Sequence, residues 1–296
     1  MPIAPERQPA YLIVNADDYG YFDCVSRGIL ETATGGILTA TGVFATSSKL
    51  GEHAAWLMRV DSLDVGVHLN LTGQAPLTTS MEKSLSRWDG RFPNKFTIAR
   101  AVLSGAIAAA DVKLEWRAQI ERCLEYGLHI RFLNSHEHIH MLPTLFTVVQ
   151  DLAAEFGIQH IRFPTSELVR GTSVGSLVRD ALIKITGMYN HRFRRLPCAR
   201  FLGMGISGRL NMEYLKQLLP GLRPGSIYEL MCHPGICDRN EITDARLLRY
   251  HDWNGERETL TKPEVQDMLE YYGIRLIGYR NLKLQGDRLI ASPDSE

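Results

Sequence analysis

The sequence predicts a single-domain α/β fold built on parallel strands, and three observations carry that prediction. Apolar runs alternate with helix-patterned segments along all 296 residues, the order that βα units impose. Hydrophobic residues make up 45% of the chain and charged residues 22%, an ordinary globular balance with material for a full-sized core. No internal repeat, low-complexity segment or linker divides it, so residues 10–282 are expected to form one domain between flexible termini, 1–9 and 283–296.

The first strand is Tyr11–Ala16, where Leu12, Ile13 and Val14 form an apolar run. Asp23 stands where an N-cap would open the next helix, and Val25, Ile29 and Ala33 recur at the interval of one helical face. Gly35 and Gly36 end it. Strand Ile37–Ala45, a helix over Glu52–Val60 and strand Leu63–Leu71 follow. Residues 72–98 read as a long polar connection containing Pro76, Asp89–Gly90 and Pro93; connections of that length in a compact domain are functional or disordered. A helix over Val112–Tyr126 closes at Gly127, strand His129–Ser135 comes next, and a helix from Pro143 ends before Gly157, leading into strand Ile158–Phe163. Residues 165–224 are less regular, with helices around Leu177–Ile185 and Met212–Leu219. Strand Ser226–Cys232 is clear. In the last helix Thr261 and Glu264 have capping-box spacing with Pro263 in the first turn, and strand Ile274–Tyr279 completes the pattern.

Composition excludes several classes. A formal charge of zero gives no support to nucleic-acid binding, which shows itself through a basic surface. The start, MPIAPERQPA, has no apolar core of a secretory signal, and the most apolar stretch, Ala101–Ala110, is too short to span a bilayer. Cys24, Cys123, Cys198, Cys232 and Cys237 form no C-x-x-C pair, so reduced thiols of a cytoplasmic protein are expected. Oligomeric state stays open, a homo-oligomer included.

Ionisable residues collect at one end of the strands. The first ends in Asp17–Asp18, the third in His68 and the fourth in His136, while Arg162 and His233 belong to the later ones. In a barrel of parallel strands those ends open on one face, where active sites are built. A lone Asp-Asp is usually a turn or cap and a lone His usually a satisfied core residue, but His136-Glu137-His138-Ile139-His140 is harder to dismiss. If its strand continues, His136, His138 and His140 share a face and suggest metal binding. An Asp with two His is a recognised ligand set for a divalent ion, which can polarise a carbonyl and lower the pKa of bound water. The inventory fits metal-assisted hydrolysis of an amide or ester, with a nearby carboxylate as base and a histidine as acid.

In order, I13-V-N-A-D-D-Y-G20, V65-G-V-H-L-N-L-T72, N134-S-H-E-H-I-H-M-L-P143 and E229-L-M-C-H-P-G235 resemble the YdjC-like carbohydrate deacetylases, a family that includes chitooligosaccharide deacetylases and relatives linked to hopanoid synthesis. The resemblance implies a distorted (β/α) barrel similar to the polysaccharide deacetylases, acting on an N-acetylated sugar with metal-bound water as nucleophile. It gives the metal to Asp18, His68 and His136, the base to Asp17, the general acid to His233 and a base-orienting or substrate-binding role to Arg162. His138 and His140 then line the site or bind substrate. The family is associated with magnesium, whereas two imidazoles suit zinc, manganese or cobalt. Two positions depart from the family: Phe132 and Asn134 stand where relatives often have His and Asp.

Residues 72–98 are expected to cover part of the pocket, with Trp88 either a platform for a sugar ring or a packing residue. The basic stretch His191-Arg192-Phe193-Arg194-Arg195, with Arg200 nearby, is read as a solvated face or as a site for the phosphate of an activated or lipid-linked sugar. The rival functions are hydrolysis of another amide, an ester or a phosphoester at the same centre, and a non-catalytic sugar-binding protein.

Overall fold

The computed structural model describes residues 8–167 and 174–292, with the side chains of 174–180 outside the description. Ten strands are numbered in chain order: β1 Ala10–Tyr19, β2 Ala40–Val43, β3 Asp64–Leu69, β4 Ile130–Ser135, β5 His160–Ile161, β6 Arg200–Leu202, β7 Ile227–Cys232, β8 Ile274–Leu276, β9 Leu282–Gln285 and β10 Arg288–Ala291. The first eight form one parallel sheet in the order β5-β4-β3-β2-β1-β7-β6, with β8 also on β1. β5 and β6 stand at opposite ends of that order, so the sheet is an open half-barrel of the expected (β/α) class. Helices Asp23–Gly35, Leu50–Leu57, Ala109–Glu125, Pro143–Glu155, Trp253–Leu260 and Pro263–Tyr271 accompany the sheet.

Strand periodicity explains how one sheet carries both a core and a site. On β1, Leu12, Val14 and Ala16 belong to the large hydrophobic cluster, while Ile13 joins a smaller one with Ala40, Phe132, Ile227 and Tyr279. Alternate residues share a face, so Asn15 and Asp17 stand above Ile13, Asn134 above Phe132 and Glu229 above Ile227. An apolar floor therefore gives way to polar groups toward the strands' C-terminal ends. The floor is tight at Gly66, where an added Cβ would lie 2.5 Å from the Phe132 ring.

Several local expectations are corrected. Phe22, not Asp23, is the N-cap of the first helix, and the Asp23 carboxylate instead meets Lys49 and the ring of His53. Lys262 caps the helix from Pro263, so the Thr261–Glu264 capping box does not form. A short strand, β6, was not legible in the irregular region, and the helix there is longer, Val174–Asn190. Residues 282–291 pair as the antiparallel hairpin β9–β10 rather than trailing as part of a flexible tail; residues 1–7 and 293–296 lie outside the described residues.

The connection 72–98 is also more structured than its composition suggests, holding helix Thr79–Ser84, a turn at Ser86–Trp88 and the start of helix Lys95–Leu103. Glu115, fully buried, fastens it by accepting hydrogen bonds from the backbone N–H of Leu77 (3.0 Å) and from Thr78 through N–H and hydroxyl (both 2.9 Å). These charge-assisted bonds satisfy the carboxylate that burial would otherwise penalise.

Two glycines lock the loop after β7 onto the first helix. A Cβ on Gly28 would sit 2.3 Å from the Gly235 carbonyl carbon, and one on Gly235 would sit 2.9 Å from Trp253. Gly28→Ala should therefore destabilise the fold by about 1–3 kcal/mol, read as a lower urea midpoint. Unchanged stability would show that the two backbones can separate freely.

Candidate active site

Asp17 and Asp18 are neighbours on one strand, yet both reach the same histidine. The pairing of β1 with β2 slips between Ala16 and Tyr19, and Asp18 sits at φ 70°, in the left-handed region. That irregularity breaks the strict alternation that would send adjacent side chains to opposite faces. A non-glycine residue held there costs of order 1 kcal/mol or more, a strain typical of functional positions. Asp18 Oδ1 lies 3.3 Å from His68 Nε2, and Asp17 Oδ1 lies 3.9 Å from His68 Nδ1.

Three atoms close the cluster. Asp18 Oδ1 is 3.0 Å from His136 Nδ1 and 3.3 Å from His68 Nε2, and those two nitrogens are 3.4 Å apart. Ligands held about 2.0–2.2 Å from one ion at octahedral or tetrahedral angles stand about 3.0–3.5 Å from each other. The donor set thus fits a divalent cation in chemistry and in spacing, and among the described residues it is the group so identified. The Asp18 carboxyl is pushed up by burial, but His136 and His68 outweigh this and hold it well below the usual carboxylate range.

Asn134 orients this centre. Its Oδ1 lies 2.7 Å from His68 Nδ1 and its Nδ2 donates to Asp17 Oδ1 at 3.0 Å. The first contact puts the proton on Nδ1 and leaves the Nε2 lone pair facing Asp18 and His136. An aspartate in its place could accept from His68 but could not donate to Asp17, so the departure from the family pattern changes the bonding here. The other departure, Phe132, stacks on Tyr279 with centroids 4.2 Å apart in the apolar floor.

Asp17 is held by Arg162, which donates from Nη1 to Oδ2 (2.5 Å) and from Nη2 to Oδ1 (2.9 Å) while its Nε donates to Glu229 (2.6 Å). Asn15 adds a bond of 2.8 Å to Asp17 Oδ1. All three ionisable groups are buried. Burial raises the Asp17 carboxyl, but Arg162 and His68 reverse that and keep it ionised below its ordinary value. Burial also raises Glu229, and Arg162 only partly offsets it. His233 follows the end of β7, and its ring lies 5.0 Å from that of His251. Burial lowers its imidazole, with Asp18 and Asp17 pulling the other way, and among the described residues its Nδ1 has no hydrogen-bond partner. Its backbone N–H donates to Glu256 (2.5 Å), which also accepts from Leu210 N–H and which burial pushes up to about 8. Tyr21 and Phe44 wall the site: their rings stack 5.0 Å apart, and Phe44 packs 5.0 Å from both His68 and His136.

The three histidines of the 136–140 run do not line one face. The strand stops at Ser135, and Glu137 and His138 take left-handed φ of 52° and 56° within a short 3-10 turn. His136 alone of the three joins the cation cluster. His140 is fully buried, with Nδ1 2.5 Å from Ser135 Oγ and Nε2 donating to the Arg162 carbonyl at 3.0 Å, and burial lowers it to about 4. It fastens Arg162's backbone to the turn. His138 lies edge-on to Phe201 at 5.7 Å, close enough for the Arg162 charge to reinforce the lowering that burial causes. Trp88 is half-buried against the core and lines a surface hollow with Arg87, Phe96 and Arg100. The connection that carries it touches the histidine turn through Lys95 and Glu137, 2.9 Å apart. In the basic stretch, Arg195 pairs with Asp151 at 2.6 Å and Arg194 lies 5.4 Å over the Phe163 ring.

Sequence reasoning passed over Asn15, Glu229 and Glu256. Glu229 had a signal, a lone acid inside an apolar strand, which burial requires to be partnered. Glu256 had none, because only the tertiary fold brings its helix beneath His233.

These features define a half-barrel protein whose strand ends present a donor set for one divalent cation beside a second, Arg-held carboxylate. The chain belongs to the YdjC-like protein family, which matches residues 11–271. It is 30% identical over 274 residues to a carbohydrate deacetylase of Clostridium beijerinckii, covering 92% of this chain and 99% of that one. It is 31% identical to a carbohydrate deacetylase of Geobacillus stearothermophilus, covering 92% and 98%. With a chitooligosaccharide deacetylase of Escherichia fergusonii it shares 30% identity, covering 77% and 82%. A crystal structure of a candidate cellobiose-phosphate cleavage protein of Enterococcus faecalis superposes with a TM-score of 0.72 at 26% identity, covering 92% of this chain and 98% of that one.

Arg162→Leu should cost about 3–5 kcal/mol, because it leaves Asp17 and Glu229 buried without their cation. Chemical denaturation measures it. A loss under about 1 kcal/mol, the range of exposed pairs, would mean that the triad contributes little to the fold.

Proposed function

We propose that this protein is a metal-dependent carbohydrate N-deacetylase that hydrolyses the acetamide of an N-acetylated sugar to acetate and a free amine. The observation that carries the reading is the mutual approach, at 3.0–3.4 Å, of Asp18 Oδ1, His68 Nε2 and His136 Nδ1. The names of the relatives supply the substrate class.

Asp18, His68 and His136 would hold the ion; two imidazoles and a carboxylate suit zinc, manganese or cobalt better than magnesium. Such an ion supplies Lewis acidity toward the acyl oxygen and toward water. Asp17 takes the proton of the attacking water, and Arg162 with Asn134 and Asn15 fixes the direction of its carboxylate. That network keeps Asp17 ionised and ready to accept, at the expense of basicity. His233, held from below by Glu256, delivers a proton to the sugar nitrogen as the C–N bond breaks. Five free cysteines fit a cytoplasmic setting, and among the described residues no helix is long and apolar enough to cross a membrane.

Acetate release by metal-reconstituted protein, assayed over a panel of N-acetylated sugars, tests the reading. Release from none of them, with turnover of O-acetyl or phosphate esters instead, would reassign the reaction. The two aspartates separate further. Asp17→Asn should keep the metal and lose about 10²–10⁴-fold in kcat, since an amide cannot accept the proton. Asp18→Asn should lose metal affinity, with activity partly restored at high metal concentration. Measured metal content and kcat for both variants decide, and the opposite pattern would exchange the two roles.

A further inference from the structure

Helix Val174–Asn190 carries a surface that the reaction does not use. Its inner side is anchored: Ile183 is buried in a cluster with Phe201, Met204 and Met231, and Asn190 Nδ2 donates to the Met141 carbonyl at 2.8 Å. Its outer side is apolar. Leu182, Ile185 and Tyr189 recur at the i, i+3, i+7 spacing of one stripe, Met188 stands beside Ile185, and Phe193 follows the helix. Their exposures are 50%, 64%, 50%, 68% and 52%, in that order. Five large hydrophobic side chains within twelve residues are a patch rather than the scattered exposure normal for a surface.

The stretch that carries the patch is positively charged, with Asp180 immediately before it. Residues 181–200 contain Lys184, Arg192, Arg194, Arg195 and Arg200 and no acidic residue, although the whole chain is neutral. Arg195 is paired with Asp151, while exposed Lys184 and Arg192 lie within or beside the apolar stripe. An apolar stripe rimmed by cations suits a surface that offers hydrocarbon just beneath negative charge. Self-association through this face would crowd the Lys184 and Arg192 cations of two copies into one interface, which disfavours a second copy as the occupant.

We propose that the outer face of the helix over residues 181–190, with the turn through Phe193, is a docking surface for an anionic lipid bilayer. Leu182, Ile185, Met188, Tyr189 and Phe193 enter the headgroup–acyl boundary, and Lys184 and Arg192 meet the lipid phosphates. The helix neighbours the candidate site, since Phe201 of its inner anchor also lies 5.3 Å from the Arg162 guanidinium. Docking therefore holds the catalytic half-barrel at the membrane surface. The proposal does not depend on the reaction assigned above.

Sedimentation of the full chain with vesicles tests it, using phosphatidylglycerol–phosphatidylcholine mixtures against phosphatidylcholine alone. The wild type should sediment with the anionic vesicles, more weakly as salt rises, and not with the neutral ones. Ile185→Glu combined with Met188→Glu should weaken binding more than about tenfold, by removing two apolar groups and adding two negative charges. Arg192→Gln should weaken it about fivefold, the effect of one cation near an anionic surface. These positions are exposed, so circular dichroism should stay native. Absence of anionic-vesicle binding by the wild type, equal binding to neutral vesicles, or full binding by the double variant overturns the proposal. So does a dimer in light scattering that Ile185→Glu converts to monomer while the wild type ignores vesicles, because the face would then be a self-interface.

Discussion

Arg162 enters the site with its guanidinium sealed from water, and its charge has to be matched there by Asp17 and Glu229. The three groups come from β1, β7 and the segment just after β5, so this ion cluster ties the centre of the sheet to one of its ends. A buried charge without its partner is among the most destabilising things a fold can contain. The strands are thereby constrained to a curvature that brings these groups together, and the same curvature brings His68 and His136 to Asp18. Fold and chemistry share one electrostatic requirement.

Around that cluster the protein sets neighbouring carboxylates to different tasks. Asp17 accepts four hydrogen bonds from Asn15, Asn134 and Arg162, which fixes its orientation completely. The Asp18 carboxylate meets the imidazoles of His68 and His136, and the left-handed turn of its backbone points it at them. Asn134 joins the two halves, since its amide can donate to one carboxylate while accepting from the histidine bound to the other. A centre wired in this way is preorganised, and little reorganisation is left for the reaction to drive.

The supporting layer follows the same logic. Glu256 holds the His233 backbone, Gly28 and Gly235 bring that loop onto the first helix, and His140 clasps Arg162's carbonyl. These residues are not themselves in the cation donor set, and each limits how far a site residue can drift. Glu115 does the corresponding work for the connection after β3, turning a polar stretch into ordered structure against the histidine turn.

Much of this was written locally in the chain. Apolar runs with period-2 neighbours marked the main strands, and Asp17, Asp18, His68, His136, Arg162 and His233 stood at or near strand ends because βα units place such ends on one rim. The sequence alone thus determined the fold class and the inventory of chemistry, since both depend on local periodicity and residue type. It did not determine the β1 irregularity, the left-handed turn at Glu137 and His138, or the short strand β6, because backbone departures of one or two residues leave no periodic trace. Nor did it reveal that His140 is a fastener, that Glu229 and Glu256 are partners of site residues, or that the helix before the basic stretch turns an apolar face outward. Those are questions of which distant groups meet, and only the tertiary structure decides them: burial favours a partner for each polar group, and that partner can stand 5 residues away, as Ser135 does from His140, or 145, as Arg162 does from Asp17.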